Sequence, residues 1–119
     1  MNDDLPPMRA MAKRDGPPEV PAVRLAGVRF EQARLPRKEA AGGQRLGYLG
    51  AYKGESDELL WRVRVYEIHY EPDLEGDVQD VFFTAMTLSP DGRQVFVDNE
   101  HGGRYAVDID GDHAVHVRP

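Results

Sequence analysis

A run of aspartates near residue 110 is the part of the sequence most similar to a metal site. In Asp108–Asp112 the aspartates alternate around a glycine, and alternating carboxylates also begin the calcium loop of EF-hand proteins. That loop needs its glycine at the sixth position and a bidentate glutamate at the twelfth. Here Gly111 is fourth and Pro119 is twelfth. The spacing therefore predicts a polar turn between two strands.

Histidines and nucleophiles are also poorly spaced for chemistry. His113 and His116 are three residues apart, which pairs ligands on a helix but sends them to opposite faces of a strand. The chain has no cysteine, which excludes thiolate nucleophiles and Cys-ligated metals. Its two serines, Ser56 and Ser89, lie outside any Gly-x-Ser-x-Gly elbow. We expect no catalytic residue, metal or cofactor and favour a non-enzymatic role, although 21 acidic residues leave a carboxylate pair for glycoside hydrolysis open.

Charge divides the chain into a basic part and an acidic part. Residues 1–45 carry nine Lys/Arg against six Asp/Glu, whereas residues 46–119 carry six against fifteen. An acidic domain repels phosphate backbones, so we expect no nucleic-acid partner. The densest acidic run predicts a loop that binds another protein, itself basic, because rim charges speed the encounter of oppositely charged surfaces. Its carboxylates are Glu71, Asp73, Glu75, Asp77 and Asp80.

The aromatic residues support an alternative interpretation. Tyrosine rings with Trp61 could line a ligand cavity inside a curved sheet, where the rings supply area and the hydroxyls supply orientation. The same rings could equally fill the space between neighbouring strands. The five tyrosines are Tyr48, Tyr52, Tyr66, Tyr70 and Tyr105.

The second half of the chain has the clearest pattern of elements, a succession of strands and tight turns. The predicted strands are Val81–Leu88, Gln94–Asn99 and Arg104–Ile109, with a short last strand over residues 114–117. The turn Ser89-Pro90-Asp91-Gly92 pre-sets φ at its proline and allows positive φ at its glycine. For the next hairpin we predict a three-residue loop, His101–Gly103 with Gly103 left-handed, which pairs Val97 with Val107 and places the apolar residues on one face.

The first half predicts longer and less regular strands. Over Val20–Gln32 the apolar residues alternate between two faces of a strand, and the alternation breaks at Gly27. This break predicts a β-bulge. A second strand covers Arg45–Tyr52, and the longest covers Leu59–Tyr70. In the latter, Trp61, Val63 and Val65 alternate with polar residues and form the predicted core face.

These elements predict an all-β fold in one small domain. We expect an antiparallel meander of about six or seven strands in residues 20–119, forming a curved sheet, a sandwich or a partly open barrel. Residues 1–19 hold four prolines and no periodic apolar pattern, so we expect a disordered tail. No apolar stretch approaches the ~20 residues of a membrane helix, and no signal-peptide core is present. We expect a cytoplasmic protein, and twelve Arg against three Lys indicate a GC-rich bacterial source.

One short resemblance carries little functional information. Leu88–Arg93 followed by Val95–Val97 resembles a strand-turn-strand of bacterial β-propeller blades, but no repeat of propeller length is present. Two functions therefore remain open. The first is a small acidic β domain that binds a protein as an accessory, inhibitor or immunity-type module. The alternative is a ligand-binding or catalytic β barrel with the Tyr/Trp-lined cavity. The sequence leaves the identity of the partner or ligand and the oligomeric state open.

Overall fold

The structure, a computed structural model, describes residues 20–40, 43–70 and 80–119. Within these ranges the chain forms two antiparallel sheets of four strands each, in meander order. The first sheet contains β1 (Val23–Leu25), β2 (Val28–Ala33), β3 (Tyr48–Lys53) and β4 (Leu59–Arg64). The second contains β5 (Phe83–Leu88), β6 (Gln94–Asn99), β7 (Arg104–Asp108) and β8 (Val115–Val117). One short 3₁₀ turn, Arg37–Glu39, lies between β2 and β3.

The all-β, antiparallel, single-domain prediction is confirmed, with eight strands where six or seven were expected. One hydrophobic core lies between the two sheets. Phe30 and Leu49, on the central strands of the first sheet, share it with residues of the second sheet that are also at most 1% exposed, namely Phe83, Val95, Val97 and Val107. Burying such a side chain contributes about 1.5–3 kcal/mol. Of the predicted architectures, the chain adopts the two-sheet sandwich. The predicted disordered tail, residues 1–19, lies outside the described residues.

The two sides of the sandwich bring different edge strands together. On one side β1 lies against β5. On the other, β4 runs beside the end of the second sheet. There Trp61 of β4 stacks on His113, in the turn before β8, with ring centroids 3.7 Å apart and planes 9° apart. Tyr66, which follows β4, stacks on Tyr105 at the start of β7 at 5.4 Å. The edges β4 and β8 therefore lie on the same side.

The predicted bulged strand over Val20–Gln32 is wrong, because the chain reverses within it. Ala26 and Gly27 have φ of 52° and 79°, and two consecutive positive values are what a two-residue type I′ turn requires. Leu25 consequently pairs with Val28 across the turn. The break in alternation at Gly27 marks a hairpin, since the positive φ that glycine tolerates serves a turn as well as a bulge.

The long strand predicted over Leu59–Tyr70 ends early, at Arg64. Beyond it, the buried side chain of Gln44 replaces a neighbouring strand. Its Oε1 accepts a hydrogen bond from the N–H of Ile68 at 2.9 Å, and its Nε2 donates to two carbonyl oxygens at 2.8 Å, those of Leu46 and Tyr66. The predicted core face is correct up to this point, since Val65 is 5% exposed and Trp61 and Val63 pack against the core.

The β5–β6 turn is confirmed, whereas the predicted β6–β7 register is wrong. Gly92 takes a φ of 72°. In the second turn the left-handed residue is Gly102, with φ of 83°, one position before the predicted one, and Val97 pairs with Tyr105 instead of Val107.

A side chain sets this register. The Oδ1 of Asn99 accepts hydrogen bonds from the N–H groups of His101 and Gly103 at 3.0 and 2.8 Å, so the turn closes on Asn99. The observed β6–β7 pairing is therefore displaced by two residues from the predicted one. The apolar residues of both strands therefore keep the predicted face.

Candidate functional site

Two loops lie side by side at one end of the second sheet. A meander brings alternate turns to the same end, so the β5–β6 turn meets the turn that follows β7. The N–H of Ile109 donates to the carbonyl oxygen of Arg93 at 3.0 Å, which fixes the loops to each other. Between them runs an open groove of about 390 Å³, lined by Asp91, Arg93, Gln94, Asp108 and Asp110. We call it the acidic groove.

The first loop holds Asp91 in a fixed, ionised state. Its Oδ1 accepts hydrogen bonds from the hydroxyl of Ser89 at 2.7 Å and from the N–H of Arg93 at 3.0 Å. Because both bonds favour the carboxylate, they lower the pKa of Asp91 below its ordinary value. The Ser89 hydroxyl also accepts from the N–H of Gln94 at 3.0 Å. The Ser-Pro-Asp-Gly turn therefore presents a pre-ordered negative charge to the groove.

In the second carboxylate of the groove, that of Asp108, each of the two oxygens has a side-chain partner. Gln94 donates from Nε2 to Oδ1 at 2.8 Å, and Nε2 of His116 lies 3.2 Å from Oδ2. These two contacts, the first being the larger cause, lower the pKa of Asp108. The residue stands at the end of β7, so the ladder of the sheet fixes its backbone. The groove wall is therefore rigid on this side.

The groove suits electrostatic recognition better than chemistry. Its lining carries three carboxylates and one guanidinium, and it is open to solvent, where charges are screened and catalytic pKa shifts are small. In the part of the chain that the structure describes, no group of three or more His, Asp or Glu side chains is placed to hold a metal ion. A cationic side chain of a partner, such as arginine, could bind these carboxylates through charge-assisted hydrogen bonds.

The first sheet presents its charges differently. Two of its exposed arginines are matched to glutamates across the surface: Arg24 bonds Glu55 through two contacts of 2.8 and 3.0 Å, and Arg62 bonds Glu39 at 3.2 Å. Residues 20–40 and 43–70 carry nine Lys/Arg against six Asp/Glu, whereas residues 80–119 carry three against seven. The sandwich thus has a mildly basic sheet and an acidic one.

Most of the predicted partner-binding run lies outside the described residues. This applies to Glu71, Asp73, Glu75 and Asp77. Asp80 is described and half-buried, and its carboxylate accepts a hydrogen bond from the hydroxyl of Tyr70 at 2.7 Å. Burial and this bond raise the pKa of Tyr70.

The structure brings together some of the predicted ligand-lining tyrosines and separates others. Tyr66 and Tyr105 form the stacked pair described above, and the Tyr66 hydroxyl donates to the carbonyl oxygen of Val81 at 2.6 Å. Burial raises the pKa of Tyr66. Tyr52 lies instead on the outer face of the first sheet, where the guanidinium of Arg29 is 5.0 Å from its ring centre.

Tyr48 is half-buried on β3, opposite Ala33 and Arg64 in the neighbouring strands. Three surface grooves in the described part of the chain are lined by residues other than tyrosine. Among these rings, Tyr66 packs on Tyr105 and Phe83, which joins the two sheets.

Sequence reasoning missed the acidic groove, although its signal was present. Both Ser89–Gly92 and Asp108–Asp112 were predicted to be turns. In a meander, turns separated by two strands lie at the same end of the sheet, so their aspartates had to be neighbours. Gln94, which bonds Asp108, gave no separate signal.

Comparisons with known proteins add no family. A scan against protein-family models, a search of curated proteins and a search of solved structures each found no match to this chain. The described residues contain no helix that is long and apolar enough to cross a membrane. The fold and the groove therefore define the class, an antiparallel β-sandwich with an acidic end.

Proposed function

We propose that this chain is a small protein-binding module of the accessory, inhibitor or immunity type, and that its partner is basic. The acidic groove carries this proposal. Two of its carboxylates, Asp91 and Asp108, accept hydrogen bonds from Ser89 and Gln94 that favour the ionised form, so the charge is already ordered before a partner arrives. Pre-ordering reduces the entropic cost of binding.

The placement of the charge supports recognition over a purely solubilising role. Asp91 and Asp110 stand on loops and Asp108 stands at the end of β7, and loops held by a sheet are the usual location of binding residues. Three glutamates of the first sheet, Glu31, Glu39 and Glu55, bond arginines instead. We further propose that Glu71, Asp73, Glu75, Asp77 and Asp80 extend the binding surface. A bacterial cytoplasmic location is also part of this proposal, supported by the absence of cysteine and the excess of Arg over Lys.

A matched pair of variants tests the role of the groove. The basic protein captured from native lysate is identified by mass spectrometry, and its association rate with the immobilised chain is measured. Asp110→Asn with Asp112→Asn removes one exposed charge from the groove lining and one beside it, and Asp57→Asn with Glu67→Gln removes two exposed charges that flank β4 of the first sheet. We expect the first pair to slow association and the second to leave it unchanged. Added salt should slow the wild type, since charge screening acts over about 8 Å at physiological ionic strength.

Equal rates for the two pairs at low salt contradict the proposal, as does a captured partner that is acidic. A third variant, Asp73→Asn with Glu75→Gln and Asp77→Asn, tests the predicted extension separately. If it associates as fast as the wild type, the proposed extension of the binding surface is wrong, but the proposal for the acidic groove is unaffected. Circular dichroism of every variant should match the wild type, because all of the changed side chains in the described part are exposed.

A further inference from the structure

The sandwich is closed on one side and open on the other. On the closed side β1 lies against β5. On the open side β4 crosses the second sheet at an angle, since Trp61 stacks on His113, in the turn before β8, and Tyr66 stacks on Tyr105 of β7. Because β4 is the last strand of the first sheet, the far end of β8 extends beyond it.

Val117 is exposed because of this geometry. It pairs with Tyr105, and Val115 pairs with Val107, so both valines stand on the same face of the second sheet as the fully buried Val107. Val115 packs against the core, but Val117 is 79% exposed. In a sandwich, side chains on this inner face are normally covered by the opposing sheet. The first sheet therefore lacks the strand that would cover Val117.

The free edge of β4 has backbone groups that could bind such a strand. The N–H of Val65 donates to the carbonyl oxygen of Gly47 at 2.8 Å, so Val65 and Val63, two residues earlier, bond towards β3. In an antiparallel ladder the alternate residues, Arg62 and Arg64, direct their N–H and C=O groups to the other side. The register shift lies at the opposite end of β4, so the alternation is regular here.

The side chains at this edge define the chemistry of a strand that could be added. Val63 packs against the core and Val65 belongs to it, so Arg62 and Arg64 stand on the outer face of the sheet. Strand β4 contains no carboxylate. Arg62 bonds Glu39, whereas Arg64 is exposed and has no ion-pair partner among the described residues. An added strand would meet positive charge on its outer face and apolar side chains on its inner face.

We propose that β4 binds an extended segment of another protein as a fifth strand, and that this segment alternates acidic and apolar residues. Its backbone pairs with Arg62 and Arg64, and one of its carboxylates lies opposite the guanidinium of Arg64. The apolar residues on either side of that carboxylate point inwards and cover Val117. Strand addition at a free sheet edge is a recurring mode of peptide recognition. This surface is separate from the acidic groove, and the inference does not depend on the function proposed for that groove.

Hydrogen exchange at four neighbouring amides tests the strand addition. In the free protein the amides of Val63 and Val65, which bond to β3, should be protected, and those of Arg62 and Arg64 should exchange fast. A synthetic peptide of alternating glutamate and valine should protect the two arginine amides and shift the amide signal of Val117. With about nine-tenths of the sites occupied, their exchange should slow about tenfold, because only the free chain exchanges. A peptide of alternating glutamate and glycine, the control for the apolar residues, should bind more weakly.

Charge reversal tests whether the bound segment is acidic. Arg64→Glu should weaken binding of the glutamate–valine peptide about tenfold, since an attractive cross-strand pair becomes a repulsive one. The same variant should bind a lysine–valine peptide more tightly than the wild type does. Lys53→Glu makes the same charge change at an exposed position at the other end of the first sheet. This matched control should leave both affinities unchanged, and circular dichroism should show that both variants fold.

Four results would overturn the proposal. One is the absence of saturable binding of the glutamate–valine peptide up to about 1 mM, the weak end of ordinary affinities. Another is binding that protects neither arginine amide, and a third is a wild type that prefers the lysine–valine peptide. The last is protection of Arg62 and Arg64 in the free protein that rises with protein concentration, because a second copy of the chain would then cover the edge.

Discussion

The two sheets have the same strand order and share one core, yet they use their charged residues in different ways. In the first sheet, exposed glutamates bond arginines across the surface, as in the Arg24–Glu55 pair. In the second, Asp98 also bonds Arg104 and Arg118, but the aspartates at one end of the sheet are ordered by other donors, and Asp91 is held by the Ser89 hydroxyl and a backbone N–H. Paired charges have little attraction left for a partner, whereas ordered like charges attract one. On this comparison we propose that the second sheet, and not the first, carries the recognition surface for a basic partner.

The largest expected effect tests whether the sheets depend on each other. Phe30→Ala in the first sheet and Phe83→Ala in the second should each destabilise the protein by about 3–5 kcal/mol, because each removes a buried aromatic ring from the common core. Urea unfolding followed by circular dichroism and by Trp61 fluorescence should give one coincident transition in both variants. Two separate transitions would mean that each sheet has its own core.

A smaller effect tests the contact between the sheets at the β4 side. Trp61→Ala should cost about 3 kcal/mol, the lower end for an aromatic residue, because the ring is half-buried against Phe30 and His113. Arg62→Ala should cost under about 1 kcal/mol, since an exposed ion pair contributes little. Melting temperatures of the two variants check this. Similar losses in both would mean that the faces of β4 are reversed.

A comparable effect is expected at the buried polar side chains that replace backbone pairing. Gln44 acts in the first sheet and Asn99 in the second, and they are 2% and 7% exposed. Replacing either with alanine leaves buried backbone groups without a partner, at a cost of about 1–3 kcal/mol. Denaturant titration measures the loss. Asn99→Ala should also broaden the amide signals around Gly102, and sharp unchanged signals there would show that the turn does not depend on Asn99.

The smallest expected effect concerns acid stability. The pKa of Asp108 is lowered, so its ionised form stabilises the native state above the ordinary carboxyl value of 3.8 and this contribution is lost as the pH falls through the lower native pKa. Asp108→Asn should therefore lower the melting temperature modestly near neutrality, where the wild type has this contribution, and should make its decline with falling acid pH less steep. If the variant and the wild type show the same dependence of melting temperature on acid pH, the contacts of Asp108 with Gln94 and His116 do not persist in solution.

The sequence predicts the second sheet better than the first for a physical reason. Each of its turns contains residues with a specific backbone role, and β6 was predicted with the observed bounds, Gln94–Asn99. In the first sheet the signal at Gly27 was compatible with a bulge or a turn, because both use positive φ. The β6–β7 register was wrong by two residues, since local glycines did not show that the Asn99 side chain closes the turn.

The acidic groove shows what sequence can and cannot give about the site. The turns that carry Asp91 and Asp110 were predictable, and the meander order then places them together. The bond between Gln94 and Asp108 needs the observed register. The end of β4 depends on Gln44, whose partner Ile68 is distant in the chain, so no local pattern reveals it.

The central claim is that the acidic end of the second sheet recognises a basic protein segment, and amide NMR titration with an oligoarginine peptide tests it most directly. At low salt, we expect shifts concentrated at Asp91–Gln94 and Asp108–Asp112, reversed by added salt and absent with an oligoglutamate peptide. Shifts confined to the first sheet, or none in these two loops, would contradict the claim.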